Sequence, residues 1–157
     1  MTEKDKEHLK IPKIENGIVI DHIPVGRALL VAQALGLDRA GQKGPVTLGF
    51  NFESGKLGRK DLIKVEHLEL ESQELEKIAL LAPGSSVKRI IDFTVKDRLE
   101  IKTPDLVEGL LECHNPRCVT NREREVETRF RKVREKPLAM KCIYCERIFL
   151  ESELTLR

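Results

Sequence analysis

The chain has no tryptophan, one tyrosine and five phenylalanines among its 157 residues. This scarcity of aromatics goes with an excess of charge. Asp, Glu, Lys and Arg make up 34%, against roughly 25% in ordinary soluble proteins. That balance hints at a thermophilic source, and a solvated surface rich in ion pairs explains it as well. No apolar run approaches the ~20 residues that a membrane-spanning helix needs. The polar start, Met1–Lys10, has no signal-peptide pattern and reads as mobile. Phosphate-binding loops, dinucleotide fingerprints and the Gly-x-Ser-x-Gly turn are missing throughout. Neither sign of charge dominates, and a formal net charge of +2 is too weak by itself to argue for a nucleic-acid partner. The length suits one medium domain or two small ones.

Cysteine is also sparse, but its placement is informative. All four lie in the last third, as Cys113-x4-Cys118 and Cys142-x2-Cys145 with 23 residues between the pairs. Two close pairs joined by a long loop have the spacing of a tetrahedral four-thiolate zinc site. Two disulfides or four unrelated thiols are the alternative, although a Cys-x2-Cys disulfide would staple almost nothing. His114, inside the first loop, is expected to point outward because a cysteine already flanks it. A closed four-thiolate site leaves no position for water or substrate, so one structural Zn2+ per chain is expected. Such a clip lets a short tail fold, since below about 40–60 residues an apolar core alone is marginal. Arg117, Lys141 and Arg147 lie close to the ligands and would offset their charge, or are ordinary surface cations. Reduced, metal-bound thiols point to the cytosol.

The apolar pattern gives the order of elements. Ile18–Ile23 is β-branched and reads as a strand. Pro24 opens a helix whose apolar face is Val25, Leu29, Ala32 and Leu35, ended by Gly36. Val46–Phe52 alternates as a half-buried strand, Glu53–Gly58 turns the chain, and Asp61–Glu66 is the second arm of a hairpin. Ser72 reads as the N-cap of a helix reaching Pro83, and Val87–Val95 as a further strand. Strand, helix, strand, strand, helix, strand is the split β-α-β order of an α+β, ferredoxin-like domain: an antiparallel sheet with two helices on one face. The boundary falls near residue 102, giving a domain over 1–102 and a small β-rich zinc domain over 103–157. Leu106–Leu111 reads as a short helix. Asn121–Lys136 reads as two solvated antiparallel strands, with Leu138–Lys141 and Ile148–Leu150 as strands around the second cysteine turn.

Candidate catalytic groups are scattered. Asp21-His22 is the one adjacent acid–imidazole pair. Side chains of strand neighbours point to opposite faces, which argues against a direct relay, and no catalytic residue is assigned. Gly58-Arg59-Lys60-Asp61-Leu62-Ile63-Lys64 says more. Lys60 and Lys64 are an even number of positions apart, so both ammonium groups face one side of a strand and repel unless an anion or acid lies between them. Cations for phosphates beside a carboxylate for ribose hydroxyls would suit a nucleotide. A solvated basic strand face explains the lysines equally well.

Several of these blocks occur together in one order. They are Asp21-His22-Ile23-Pro24, Ser54-Gly55-x-x-Gly58 through Lys64, Leu81-Ala82-Pro83, Cys113-x4-Cys118, and Lys141-Cys142-x-Tyr144-Cys145-Glu146. Over roughly residues 11 to 150 the chain resembles the regulatory chain of aspartate carbamoyltransferase. The resemblance implies a non-catalytic subunit in pyrimidine biosynthesis. Its N-terminal domain would bind nucleoside triphosphates, CTP and ATP, and form a homodimer, while its zinc domain would dock on the catalytic chain. Carried over by position, the nucleotide site would comprise Ile14, Val19, Asp21, His22, Lys60, Lys64, Ile90, Phe93, Val95 and Arg98. Asp21 would take the ribose hydroxyls, Lys64 would lie near ribose and base, and His22 and Arg98 would reach the phosphates. Backbone groups near Ile14 and Phe93 would read the base edge. Lys88 stands where bacterial relatives have an amide, Arg98 where they have lysine, and Phe93 where they have tyrosine. The added cation at Lys88 should favour triphosphates.

The competing reading is a zinc-ribbon protein that binds nucleic acid or works in transcription. Asn121–Lys136 holds seven Lys or Arg and four Glu, and interspersed acids weaken the tracking of a phosphate backbone. Phe130 is the one aromatic in that stretch, leaving little for base stacking.

Overall fold

The computed structural model describes residues 11–157, so the mobility expected of Met1–Lys10 lies outside the described residues. Two compact units emerge: the chain up to Glu69 together with Ser85–Glu100, and Leu70–Gly84 together with Ile101–Arg157.

In the first unit, β1 (Gly17–Ile23), β2 (Val46–Ser54), β3 (Gly58–Glu66), β4 (Ser86–Ile91) and β5 (Thr94–Leu99) form one antiparallel sheet in the order β2-β3-β1-β4-β5. Alternation gives each strand two characters. Ile18, Ile20, Ile63, Val65 and Val87 are buried, while Val19, Asp21, Lys64 and Lys88 between them are only partly covered. Gly17 is required where β1 enters the sheet, because a Cβ there would drive into the Val65 carbonyl oxygen.

Helix α1 (Ala28–Ala34) packs against β2 and β3. It buries Ala28, Val31 and Ala32, of which only Ala32 belongs to the face expected from the sequence. Pro24 opens a turn instead of the helix, with the Arg27 N–H bonded to its carbonyl at 3.1 Å. That shifts the helical phase and leaves Val25 and Leu29 51% and 50% exposed. The expected single strand Val87–Val95 is also two strands. Asp92 and Phe93 both take left-handed φ, 50° and 66°, which makes a two-residue hairpin turn. The Phe93 N–H donates to Glu15 O at 3.0 Å, and the Asp92 N–H to Asn16 Oδ1 at 3.3 Å.

In the second unit, helix α2 (Ser72–Leu81) begins one residue earlier than expected, with Glu71 and not Ser72 at the N-cap position. The Glu74 carboxylate accepts the Glu71 N–H at 3.0 Å. Leu80 joins Val107, Leu111, Phe130, Leu138, Met140 and Phe149 in one buried cluster with Cys113, Cys118 and Cys142. The packing therefore groups α2 with the second unit, whereas the order of elements alone sets both helices on the first sheet. Strands β6 (Leu106–Glu108), β7 (Arg129–Arg134), β8 (Ala139–Cys142) and β9 (Ile148–Leu150) form a four-stranded antiparallel sheet in sequence order.

Leu106–Leu111 is thus extended and not helical. Val107 is buried between the exposed Leu106 and Glu108, a strand alternation, and the left-handed Gly109 (φ 69°) ends it. Asn121–Lys136 contains one strand and not two, preceded by a single helical turn, α3 (Val119–Arg122). Among the described residues no helix is long and apolar enough to cross a membrane.

Candidate functional site

On the face of the first sheet opposite its apolar core, the register sets Lys64, Val19, Lys88 and Arg98 side by side across β3, β1, β4 and β5. Three cations thus stand in one transverse row around a valine. One pair of residues along, Asp21 lies opposite Ser86, and the Lys60 ammonium sits 2.8 Å and 3.0 Å from the two Asp21 oxygens. In the other direction Ile90 pairs with Gly17 and with Val95. The exposed Phe93 tops the hairpin there, tied to the residue after Ile14 through Glu15. The face therefore grades from an apolar end, through cations, to a carboxylate.

His22 departs from the expected alternation. Its φ of 55° makes a bulge, and the β1–β3 register shifts between Ile20 and Ile23. The ring is thereby brought to the Asp21 side, with Nδ1 3.3 Å from Ser86 Oγ and 3.9 Å from an Asp21 oxygen. That second distance is too long for a hydrogen-bonded relay. The His22 N–H does bond Asp21, at 2.7 Å. Lys64 Nζ donates to Pro12 O at 2.9 Å, fixing the segment before β1.

Electrostatics follow from this crowding. Burial alone would lift the Asp21 carboxyl, but the Lys60 ammonium and the His22 N–H reverse that and hold it below the ordinary range. Burial depresses His22, and Lys60, Lys56 and Lys88 add to it against the opposing pull of Asp21. Lys64 is lowered by burial and by Lys13, with Asp21 opposing.

The second unit gathers the four cysteines. Their sulfurs all lie within 4.8 Å of one another. Cys113 and Cys145 Sγ are 3.6 Å apart, and Cys118 and Cys142 Sγ 3.8 Å. Thiolates at about 2.3 Å from a tetrahedral zinc would be about 3.8 Å apart, whereas a disulfide needs about 2.05 Å. All four thiols are unpaired, so the donor set fits a single metal ion. Asn121 Nδ2 bridges Cys113 O and Asn115 O at 2.6 and 2.8 Å, shaping the first cysteine turn. In the second turn Glu146 is left-handed (φ 62°), and its N–H bonds Cys142 O at 2.9 Å. Thr120 donates to Cys118 Sγ at 3.2 Å. Burial works against the Cys145 thiolate, but the Arg147 N–H and Asn115 outweigh it and bring the thiol down to about 7. Burial pushes Cys113 and Cys142 up. His114 stays outside the cluster, 2.6 Å from Thr155 Oγ1.

Comparison with known proteins agrees with both halves of this geometry. Residues 9–102 match the family model described as aspartate carbamoyltransferase regulatory chain, allosteric domain, and residues 105–155 match its metal binding domain. The chain belongs to the aspartate carbamoyltransferase regulatory chain family. It is 47% identical to the regulatory chain of Thermofilum pendens over 151 residues, covering 95% of this chain and 94% of that one. It is 44% identical to that of Pyrococcus abyssi over 146 residues (93% and 95%), and 40% identical to that of Saccharolobus solfataricus over 154 residues (98% and 96%).

Within this regulatory chain, the register brings together Val19, Asp21, His22, Lys60, Lys64, Lys88 and Arg98. Ile90 and Val95 form a pair beside them, and Ile14 and Phe93 lie at the apolar end. The N–H of Phe93 is already taken by Glu15. Sequence reasoning missed Lys13 and Lys56, which bear on Lys64 and His22, and Ser86, which bonds His22. The turn Lys56-Leu57-Gly58 beside the basic block carried the signal for Lys56; nothing in the sequence marked Ser86.

Proposed function

We propose that the charged face of the first unit binds one nucleoside triphosphate, CTP or ATP, and that the chain transmits that occupancy to a catalytic partner without catalysing a reaction itself. The observation that supports this most is the Lys64–Lys88–Arg98 row beside the Asp21–Lys60 pair. Three cations in a row repel in the free chain, and a polyphosphate relieves that repulsion. Arg98 presents a planar fork to phosphate, and Asp21 can accept the ribose hydroxyls once Lys60 turns toward the phosphates. The apolar end at Ile14, Ile90, Phe93 and Val95 suits a base. Phe93 is then left to read its edge with its carbonyl.

The four-cysteine site holds zinc in this reading. Cys113, Cys118, Cys142 and Cys145 supply four thiolates, and the ion clips together the two turns and their strands. Division of labour follows the boundary near residue 102, with effector binding before it and partner docking after it. Val119, Ile143 and Tyr144, exposed around the cysteine turns, form the apolar contact for the catalytic chain.

A second copy of the chain pairs with the first unit. β1 is central in the sheet and offers no edge. The edge strand β2 does, and Phe50 on it is exposed, as are Val25, Leu29 and Leu30 beside or on α1. A two-fold contact covers them. Such a chain works in the cytosol, where metal-bound thiols stay reduced.

A nucleic-acid role gains nothing from the structure. Arg129 is paired with Glu108 at 2.7 Å. Lys132 is held by Glu135 at 2.6 Å, Asp105 at 3.4 Å and Thr103 O at 2.9 Å. The test of the effector reading is calorimetric titration of the full chain with CTP and ATP: one site per chain supports it, and absence of saturable heat for both refutes it.

A further inference from the structure

Asp61 is fully buried, yet it lies in the basic block between Lys60 and Leu62. Its carboxylate accepts three backbone N–H groups. Oδ2 takes Gly26 at 2.9 Å and Ala28 at 3.3 Å, where α1 begins, and Oδ1 takes Asn51 at 2.9 Å. Asn51 is the left-handed residue (φ 58°) of a bulge in the edge strand β2, where the β2–β3 register shifts between Gly49 and Phe52. Those two pair with Leu62 and Lys60, so this bulge stands opposite Asp61. On the other side Asp61 pairs with Ile23, directly after the His22 bulge of β1. One residue of β3 is therefore flanked by both irregularities. One aims His22 at the charged face, and the other lies next to the exposed Phe50. The Arg59 guanidinium closes the outer bulge by donating to Asn51 O at 3.1 Å.

We infer that Asp61 is a positioning residue that couples the charged face to the edge strand and α1, so that nucleotide occupancy and pairing of two chains are energetically linked. This rests on the effector and pairing reading above. A ligand that draws Lys60 from Asp21 shifts β3 at the residue next to Asp61. Three backbone bonds then carry the shift to the β2 bulge and the start of α1. A buried carboxylate with these bonds has little freedom to absorb the movement locally, since losing the Asn51 bond takes its partner from a fully buried oxygen. Linkage is reciprocal, so pairing must change nucleotide affinity by the same factor.

The experiment is sedimentation of the full-length, zinc-loaded chain over a concentration series, with and without saturating CTP, for wild type, Asp61→Asn and Arg59→Met. In the wild type CTP should shift the dimer dissociation constant at least fivefold. CTP affinity, measured at concentrations below and above dimerisation, should shift by the same factor. Asp61→Asn should still bind CTP and pair, with the shift reduced to less than twofold, and Arg59→Met should reduce it in part. A merely structural role would lower stability and leave the shift unchanged, and that result in Asp61→Asn overturns the inference. If Asp61→Asn does not fold, an undiminished shift in Arg59→Met overturns it. Wild-type chain that binds CTP and pairs, but does so independently, refutes the coupling alone. Failure of either binding or pairing removes the reading beneath it, and the coupling with it.

Discussion

The Lys60 ammonium spans both carboxylate oxygens of Asp21, at 2.8 and 3.0 Å, on a face whose other principal side chains are the cations Lys64, Lys88 and Arg98. The pair sets the resting charge of that face. Asp21 is the acid that tempers it, and Lys60 is the cation nearest that acid. Replacing Lys60 with methionine leaves Asp21 an uncompensated negative charge where phosphates approach. CTP affinity should fall by more than the loss of one donor alone, which costs about 1.5–3 kcal/mol. Titration of K60M beside the double variant K60M/D21N checks this, with the second change expected to restore part of the loss.

Lys64→Ala should weaken CTP and ATP binding by about 1.5–3 kcal/mol, while metal content stays unchanged because the thiols are in the other unit. Equal affinities for variant and wild type would remove Lys64 from the site.

His22 gives the face a pH dependence. Its pKa is lowered in the free chain by burial, with Lys60, Lys56 and Lys88 adding. The unfolded chain thus binds more protons in this range. His22 contributes stability above the ordinary histidine pKa of about 6.5, and that contribution is lost as pH falls through the lowered folded value. A bound triphosphate pulls the other way and favours the imidazolium. CTP binding should therefore take up protons and tighten between about pH 8 and pH 6. Calorimetry in two buffers of different ionisation enthalpy measures the uptake, and His22→Gln should abolish it.

Much of this face was legible in sequence because strand alternation fixes the sides of residues an even number apart. Lys60 and Lys64 on β3 show it. The bulge at His22 was not legible, since the enrichment of His, Asn and Asp at left-handed φ is too weak to mark one residue within a β-branched strand. For the same reason the Asp92-Phe93 hairpin read as one continuous strand. The helical face of α1 was mistaken in part, because Ala28 and Val31, not Val25 and Leu29, are buried with Ala32. The four cysteines were readable from spacing alone, but the extended Leu106–Glu108 was not. A three-residue strand gives too short a pattern to distinguish its period from that of a helix.

Metal removal should separate the two units functionally. Chelation at neutral pH is expected to abolish association with the catalytic chain, because both cysteine turns and the cluster around Phe130 depend on the clip. CTP binding should persist. Gel filtration with the partner and titration of CTP on the same sample read both; joint loss in a chain that stays soluble would show that the units are not independent.

Leu29→Glu should block pairing of the first unit. Leu29 is 50% exposed on α1, so folding tolerates the change while a two-fold contact does not. Sedimentation should give monomer for the variant and dimer for wild type; a dimeric variant would move the contact elsewhere.

The most direct test of the central claim is the affinity series CTP, CDP, CMP and cytidine on the full chain. A face built on the Lys64–Lys88–Arg98 row predicts that affinity falls at each lost phosphate, and falls less steeply at high salt. Equal binding of cytidine and CTP, or no binding of either, would contradict it.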